Sequence, residues 1–209
     1  MNASTRIIFV RHAQTVWNKE HRYAGSGEVP LAPEAQEQIA RLTERLSHER
    51  IDAIYASPLT RCLTTIMPTA EQRHLRIIKR EELRERNLGD WEGHSPREIH
   101  KTHSGYHFPE SAYDGSFRVP GSEPLDHLEQ RLRAIIHEVV EAHPGQHIVL
   151  ATHAGLIWML QARLVQNRPH ELHWAGNCAI ATVVAEHGHL LLAGIEEQGS
   201  YLFPSTHTA

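Results

Sequence analysis

Residues 7–18 read IIFVRHAQTVWN. Ile7 to Val10 are apolar and partly β-branched, the composition of a short buried strand, here expected from Thr5 to Val10. The chain then turns polar, with Arg11 and His12 side by side. Taken alone, such a pair reads as a strand end at the surface. Its meaning depends on what the rest of the chain builds around it.

Strand-like and helix-like segments alternate from there. Pro30 and Pro33 bracket a helix start, and Ala35, Ile39, Leu42 and Leu46 fall at helical spacing, so a helix is expected to about Ser47. Asp52 to Ala56 reads as a second strand. Ser57 is a candidate N-cap, with Pro58 at the first position of a helix carrying Leu59, Cys62, Leu63 and Ile66. Leu75 to Lys79 reads as a strand, and a short helix is expected near Pro96 to Lys101. A long helix from about Pro124 to His143 places Leu128, Leu132, Ile135, Ile136 and Val139 on one face, and Pro144-Gly145 stops it. His147 to Ala151 is a strand and Ala154 to Val165 a helix. Cys178–Ala185 and His189–Ile195 form a hairpin turning at EHGH. This alternation predicts an α/β fold, a three-layer α/β/α sandwich around a mostly parallel sheet. The Gly-, His- and aromatic-rich stretch near residues 94–121 reads as a lid-like insertion.

The whole-chain numbers fit that reading. The 209 residues suit one domain, 1–209, with room for a substantial core. The formal charge of -4, with no Lys/Arg block, argues against nucleic acid as a partner. The two cysteines, Cys62 and Cys178, are not spaced as a metal or disulfide motif. No stretch has the length of a membrane span. A cytoplasmic protein is expected, and a homodimer is allowed. His100, His103 and His107 lie in a loop-like segment without the i, i+4 spacing of a helical metal pair, so no metal is expected.

Ligands in such sheets bind beyond the carboxyl ends of the strands. Three predicted strands end in reactive residues: Arg11, His12, Thr15 and Asn18; then Ser57 and Arg61; then Thr152 and His153. Guanidinium forks match phosphate oxygens in charge and shape. An imidazole nitrogen can attack phosphorus and carry it covalently. A second imidazole and a carboxamide can hold the equatorial oxygens as charge shifts.

These segments resemble the histidine phosphatase, or phosphoglycerate mutase-like, superfamily. RHAQTVWN is similar to its signature, YASPLTRCLTT to its second element, ELRERNLGDWEG to its third and VLATHAGLI to its fourth, in the family's order. The resemblance implies that His12 is the phosphorylated nucleophile and that Arg11 and Arg61 bind phosphate. It implies that His153 contacts the transferred group and that Glu85 acts as acid and then base. Thr15, Asn18 and Ala154 fall with the substrate-binding positions. No cofactor is implied, and the partner is a small phosphorylated metabolite. Alanines stand where the family usually has glycine after each key histidine, at Ala13 and Ala154. Ala32 and Ala35 replace a usual Thr and Gly, which should weaken that helix start by about 1 kcal/mol. GDWEG is similar to the phosphatase branch, and the Arg-Arg pair typical of the mutases is missing between Gly93 and Gly121. A phosphatase is therefore expected over a cofactor-dependent phosphoglycerate mutase, a phosphoprotein phosphatase or a weakly catalytic regulatory module.

Overall fold

The computed structural model describes residues 4–102, 113 and 119–197. Six strands form one sheet: β1 (Thr5–Arg11), β2 (Ala53–Ala56), β3 (Ile77–Lys79), β4 (His147–Thr152), β5 (Ile180–Glu186) and β6 (His189–Glu196), in the order β3-β2-β4-β1-β5-β6. The pairs β3/β2, β2/β4 and β4/β1 are parallel, and β1/β5 and β5/β6 are antiparallel. The helices are α1 (Val16–Lys19), α2 (Ala35–Ser47), α3 (Thr60–Gln72), α4 (Pro96–Thr102), α5 (Leu125–Ala142) and α6 (Ala154–Met159), the last continuing as a π-helical turn, Leu160–Leu164.

The near-continuous apolar run in β1 has a direct cause: the strand is buried on both faces. Ile8 and Val10 pack with Ile54, Val149 and the buried faces of α2 and α3. Ile7 and Phe9 point the other way, into a core with Leu128, Leu132, Ile135 and Val139 of α5 and with Leu156 and Ile157 of α6. Alternate residues of one strand thus feed two separate cores, which makes the three layers.

Several local expectations shift. Ser57 does not cap α3, which begins at Thr60 with Leu59, in extended conformation, as its N-cap; Pro58 stands outside the helix. The Ser57 hydroxyl accepts from Leu59 N at 3.4 Å and stands 2.9 Å from His153 Nε2. β3 starts at Ile77, because Leu75 donates its N–H to Ala70 O at the end of α3. Glu34 takes the N-cap position of α2 without a side-chain cap bond, so Ala32, which stands in place of the usual threonine, lies two residues before the cap. The hairpin turns at EHGH as expected, with positive φ at His187 and Gly188. Most of the expected lid, including His103 and His107, lies outside the described residues. Among the described residues no helix is long and apolar enough to cross a membrane, and no group of three or more His, Cys, Asp or Glu could hold a metal ion.

Candidate active site

Sheet register brings the first and fourth motifs together. Arg11 pairs with Thr152, so His12 and His153 each stand one residue beyond the ends of adjacent central strands. Their rings lie edge to face with centroids 5.1 Å apart. On the far side of β4, Ala56 pairs with Ala151, which sets Ser57 and then Arg61, in the first turn of α3, at the same end.

His12 is fixed by its own main chain. Its N–H donates to Thr152 O at 3.1 Å. Its carbonyl accepts from Cys178 N at 3.3 Å and from Asn177 Nδ2 at 3.1 Å. The ring Nδ1 is 2.7 Å from Ala13 O. A carbonyl can only accept, so Nδ1 carries the proton and Nε2 keeps its lone pair. Burial, with Arg61 and Arg11 nearby, holds His12 well below the usual imidazole value of 6.5. His153 is lowered in the same way by burial, Arg61 and His12. Both rings are therefore neutral at pH 7.

Each arginine is anchored by carbonyls and keeps a donor unused. Arg11 Nη1 donates to Ala175 O at 2.6 Å. Arg61 donates from Nη1 to Gly27 O at 2.6 Å and from Nη2 to Gly25 O at 2.8 Å. The Nε atoms of both are buried without a partner among the described residues. An unmet buried donor costs about 1–3 kcal/mol, a cost that an anion in the cleft would remove. Burial pulls Arg11 down to about 10, which leaves it cationic at neutral pH.

Glu85 reaches the same cleft from the loop after β3. Oε2 accepts from Gly155 N at 3.0 Å and Oε1 from Arg86 N at 2.8 Å. The Tyr113 hydroxyl stands 3.5 Å from Oε1. A Cβ at Gly155 would overlap both Glu85 Oε1 and the Tyr113 hydroxyl, so the glycine clears the space that the carboxylate occupies.

The cleft is small, about 40 Å³, and its lining includes Arg11, His12, Asn18, Arg61, Glu85 and Ala154. A larger groove of about 940 Å³ lies at the other end of the strands and brings together none of the expected residues. Thr15, Ser57, Thr152 and His153 do not line the cleft. His153 is fully buried behind its wall, touching Ser57 Oγ and Cys62 Sγ. Thr15 caps α1: its hydroxyl accepts from Asn18 N while Asn18 Oδ1 accepts from Thr15 N. Asn18 Oδ1 takes a second N–H from Asn177 Nδ2 at 3.1 Å, so its NH₂ is the group left to offer the cleft.

The sequence reading missed Asn177 and Gly155. Tyr113, from the stretch read as a lid, and Trp174 also line the cleft. Gly155 could have been found inside the quoted THAG stretch. Asn177 carries no local signal, standing 165 positions from His12.

The two neutral buried imidazoles have a consequence for stability. Unfolding releases them to an ordinary value near 6.5, so below that pH the unfolded chain binds more protons and stability falls as pH falls. In phosphate-free buffer, acidification from pH 6.5 to 5.5 should cost the wild type about 1 kcal/mol more than His153→Gln. Urea unfolding at the two pH values measures this. Equal losses would mean that His153 is protonated in the fold.

Comparison with known proteins gives a consistent picture. The model for the histidine phosphatase superfamily (branch 1) matches residues 7–198. Phosphoglycerate mutase-like protein 4 of Arabidopsis thaliana is 34% identical over 160 residues, 75% of this chain and 70% of that protein. Phosphoserine phosphatase 1 of Hydrogenobacter thermophilus is 31% identical over 150 residues, 71% of this chain and 70% of its own. Among solved structures, Bacillus stearothermophilus YhfR superposes with a TM-score of 0.82 at 26% identity, over 95% of this chain and 100% of that one.

Proposed function

We propose that this chain, which belongs to the histidine phosphatase superfamily (branch 1) and is a phosphatase, hydrolyses a small phosphorylated metabolite through a phosphohistidine on His12. One observation carries the reading. A neutral imidazole with its Nδ1–H held by Ala13 O shares a small cleft with two buried guanidiniums and the Glu85 carboxyl group.

In the first half, His12 Nε2 attacks phosphorus and the ester P–O bond breaks. The leaving oxygen takes its proton from Glu85. Arg11 and Arg61 hold the equatorial oxygens as charge builds on them, and the Asn18 NH₂ adds a neutral donor. His153, edge-on to the nucleophile, adds polarity without a like charge that would repel it. In the second half, Glu85, now a carboxylate, takes a proton from water. The water oxygen attacks phosphorus, the N–P bond breaks, and His12 recovers its lone pair. The two arginines supply the positive charge for these steps, so EDTA should leave activity unchanged. A large loss that Zn²⁺ or Mg²⁺ reverses would require a different mechanism.

Relatives named for phosphoserine, and a solved mycobacterial structure named glucosyl-3-phosphoglycerate phosphatase, suggest small metabolite esters as the substrate class. The decisive assay is phosphate release from a panel that holds phosphoserine, phosphosugars and phosphoglycerates. The mutase-like name of one relative makes a second arm useful, with 3-phosphoglycerate and 2,3-bisphosphoglycerate. Net phosphate release is expected. Isomerisation without release would make the chain a mutase.

A further inference from the structure

The GDWEG stretch, residues 89–93, separates this chain from the mutase pattern, yet the chemistry above does not use it. Glu92 is outside the cleft lining. Its carboxylate is nonetheless closely engaged. Oε1 accepts from Ser26 N at 2.8 Å, Ser26 Oγ at 3.2 Å and Leu88 N at 3.1 Å; Oε2 accepts from Gly27 N at 3.1 Å.

The other edge of the same loop faces Arg61. The peptide between Gly25 and Ser26 donates its N–H to Glu92 and accepts Arg61 Nη2 on its carbonyl. The next peptide donates the Gly27 N–H to Glu92 and accepts Arg84 Nη2 on Ser26 O at 3.0 Å. Two successive peptide groups are thus each polarised between one carboxylate and an arginine. In such chains each hydrogen bond strengthens the next. Gly25 is required by the same contact: it has φ +50, and a Cβ there would overlap the Glu92 carboxylate.

We propose that Glu92 is a positioning residue for Arg61, acting through the Gly25–Ser26 peptide to set the guanidinium that holds the phosphoryl group. The proposal rests on the reading of Arg61 as a phosphate ligand. Arg61 holds phosphate in the ground state as well as in the transition state, so loss of its placement raises KM and the phosphate Ki as well as lowering kcat.

The test compares Glu92→Gln, Arg61→Ala and the double variant with the wild type. Each is measured for kcat and KM on the best ester from the panel and for inhibition by inorganic phosphate. Glu92→Gln should raise KM and the phosphate Ki by roughly tenfold, the scale of partners that orient a binding group, with a smaller change in kcat. In the Arg61→Ala background the same substitution should change kcat/KM by less than about twofold. A folded Glu92→Gln protein with wild-type Ki, or an effect that persists without Arg61, overturns the proposal. If Glu92→Gln does not fold, Arg84→Ala, which frees the second peptide, replaces it in the cycle with the same signs expected. A wild-type protein that neither hydrolyses any ester nor binds inorganic phosphate overturns the phosphatase reading itself, and this proposal with it.

Discussion

His12→Ala turns over no phosphate ester, its kcat falling by at least about 10⁴, while the protein stays folded. The two halves of this expectation have separate causes. Turnover is lost because Nε2 of His12 is the nitrogen the fold leaves bare beside both guanidiniums. The fold survives because this position is held by main-chain bonds to Thr152 O, Cys178 N and Asn177 Nδ2, which alanine retains. Removing a buried imidazole that must stay neutral also removes a reason to unfold in acid. Acid-stable counts do not settle this, since phosphohistidine is labile there; trapping with labelled substrate and an alkaline quench should mark the wild type and leave the variant blank. Turnover by the variant within tenfold of wild type would end the covalent mechanism.

Glu85→Gln should separate the two chemical halves. Glutamine keeps the size of the side chain but can neither give nor take the proton. For alkyl esters the leaving oxygen is strongly basic, so kcat/KM should fall by roughly 10²–10⁴. An aryl ester such as p-nitrophenyl phosphate leaves without help, and its kcat/KM should stay within about tenfold. Its kcat should still fall, because water attack needs the carboxylate whatever group has left. A burst of one nitrophenol per enzyme followed by slow turnover is the expected trace. Equal losses of kcat/KM on alkyl and aryl esters would take the acid role from Glu85. The contacts that hold this residue, Gly155 N and Arg86 N, are both main-chain donors; glutamine keeps one oxygen to accept from them, so one of the two bonds is lost in the variant.

What could be read from the sequence follows the range of the forces involved. Strand and helix periods are local, and β1, α2 and α5 came out close to their observed limits. The first, second and fourth quoted stretches end strands or open helices at one end of the sheet, which gathers His12 and Arg61; Glu85, on a loop, is selected by the resemblance alone. Partner choice was not legible. Ser57 has every local reason to cap a helix, yet α3 begins at Thr60 and the hydroxyl also meets His153, 96 positions away. Thr15 could have faced phosphate or capped α1, and the reciprocal bond with Asn18 decides for the cap. Glu92 shows only a charge in a charge-rich segment until the loop at Gly25 folds against it.

The strand that runs into His12 is also the one with the most distant neighbours. Ile8 sits between Val149 on β4 and Thr182 on β5. A ribosome finishes β1 long before either flank exists, so the emerging His12 segment has no sheet to join for most of translation. The loop that steadies it, through Asn177 and Cys178, comes later still. Closing contacts of such long range is slow relative to forming helices. Hydrolytic power should therefore appear as an all-or-nothing event late in synthesis, when the β5–β6 hairpin docks, and incomplete chains released from the ribosome should be inert toward the cell's phosphate esters.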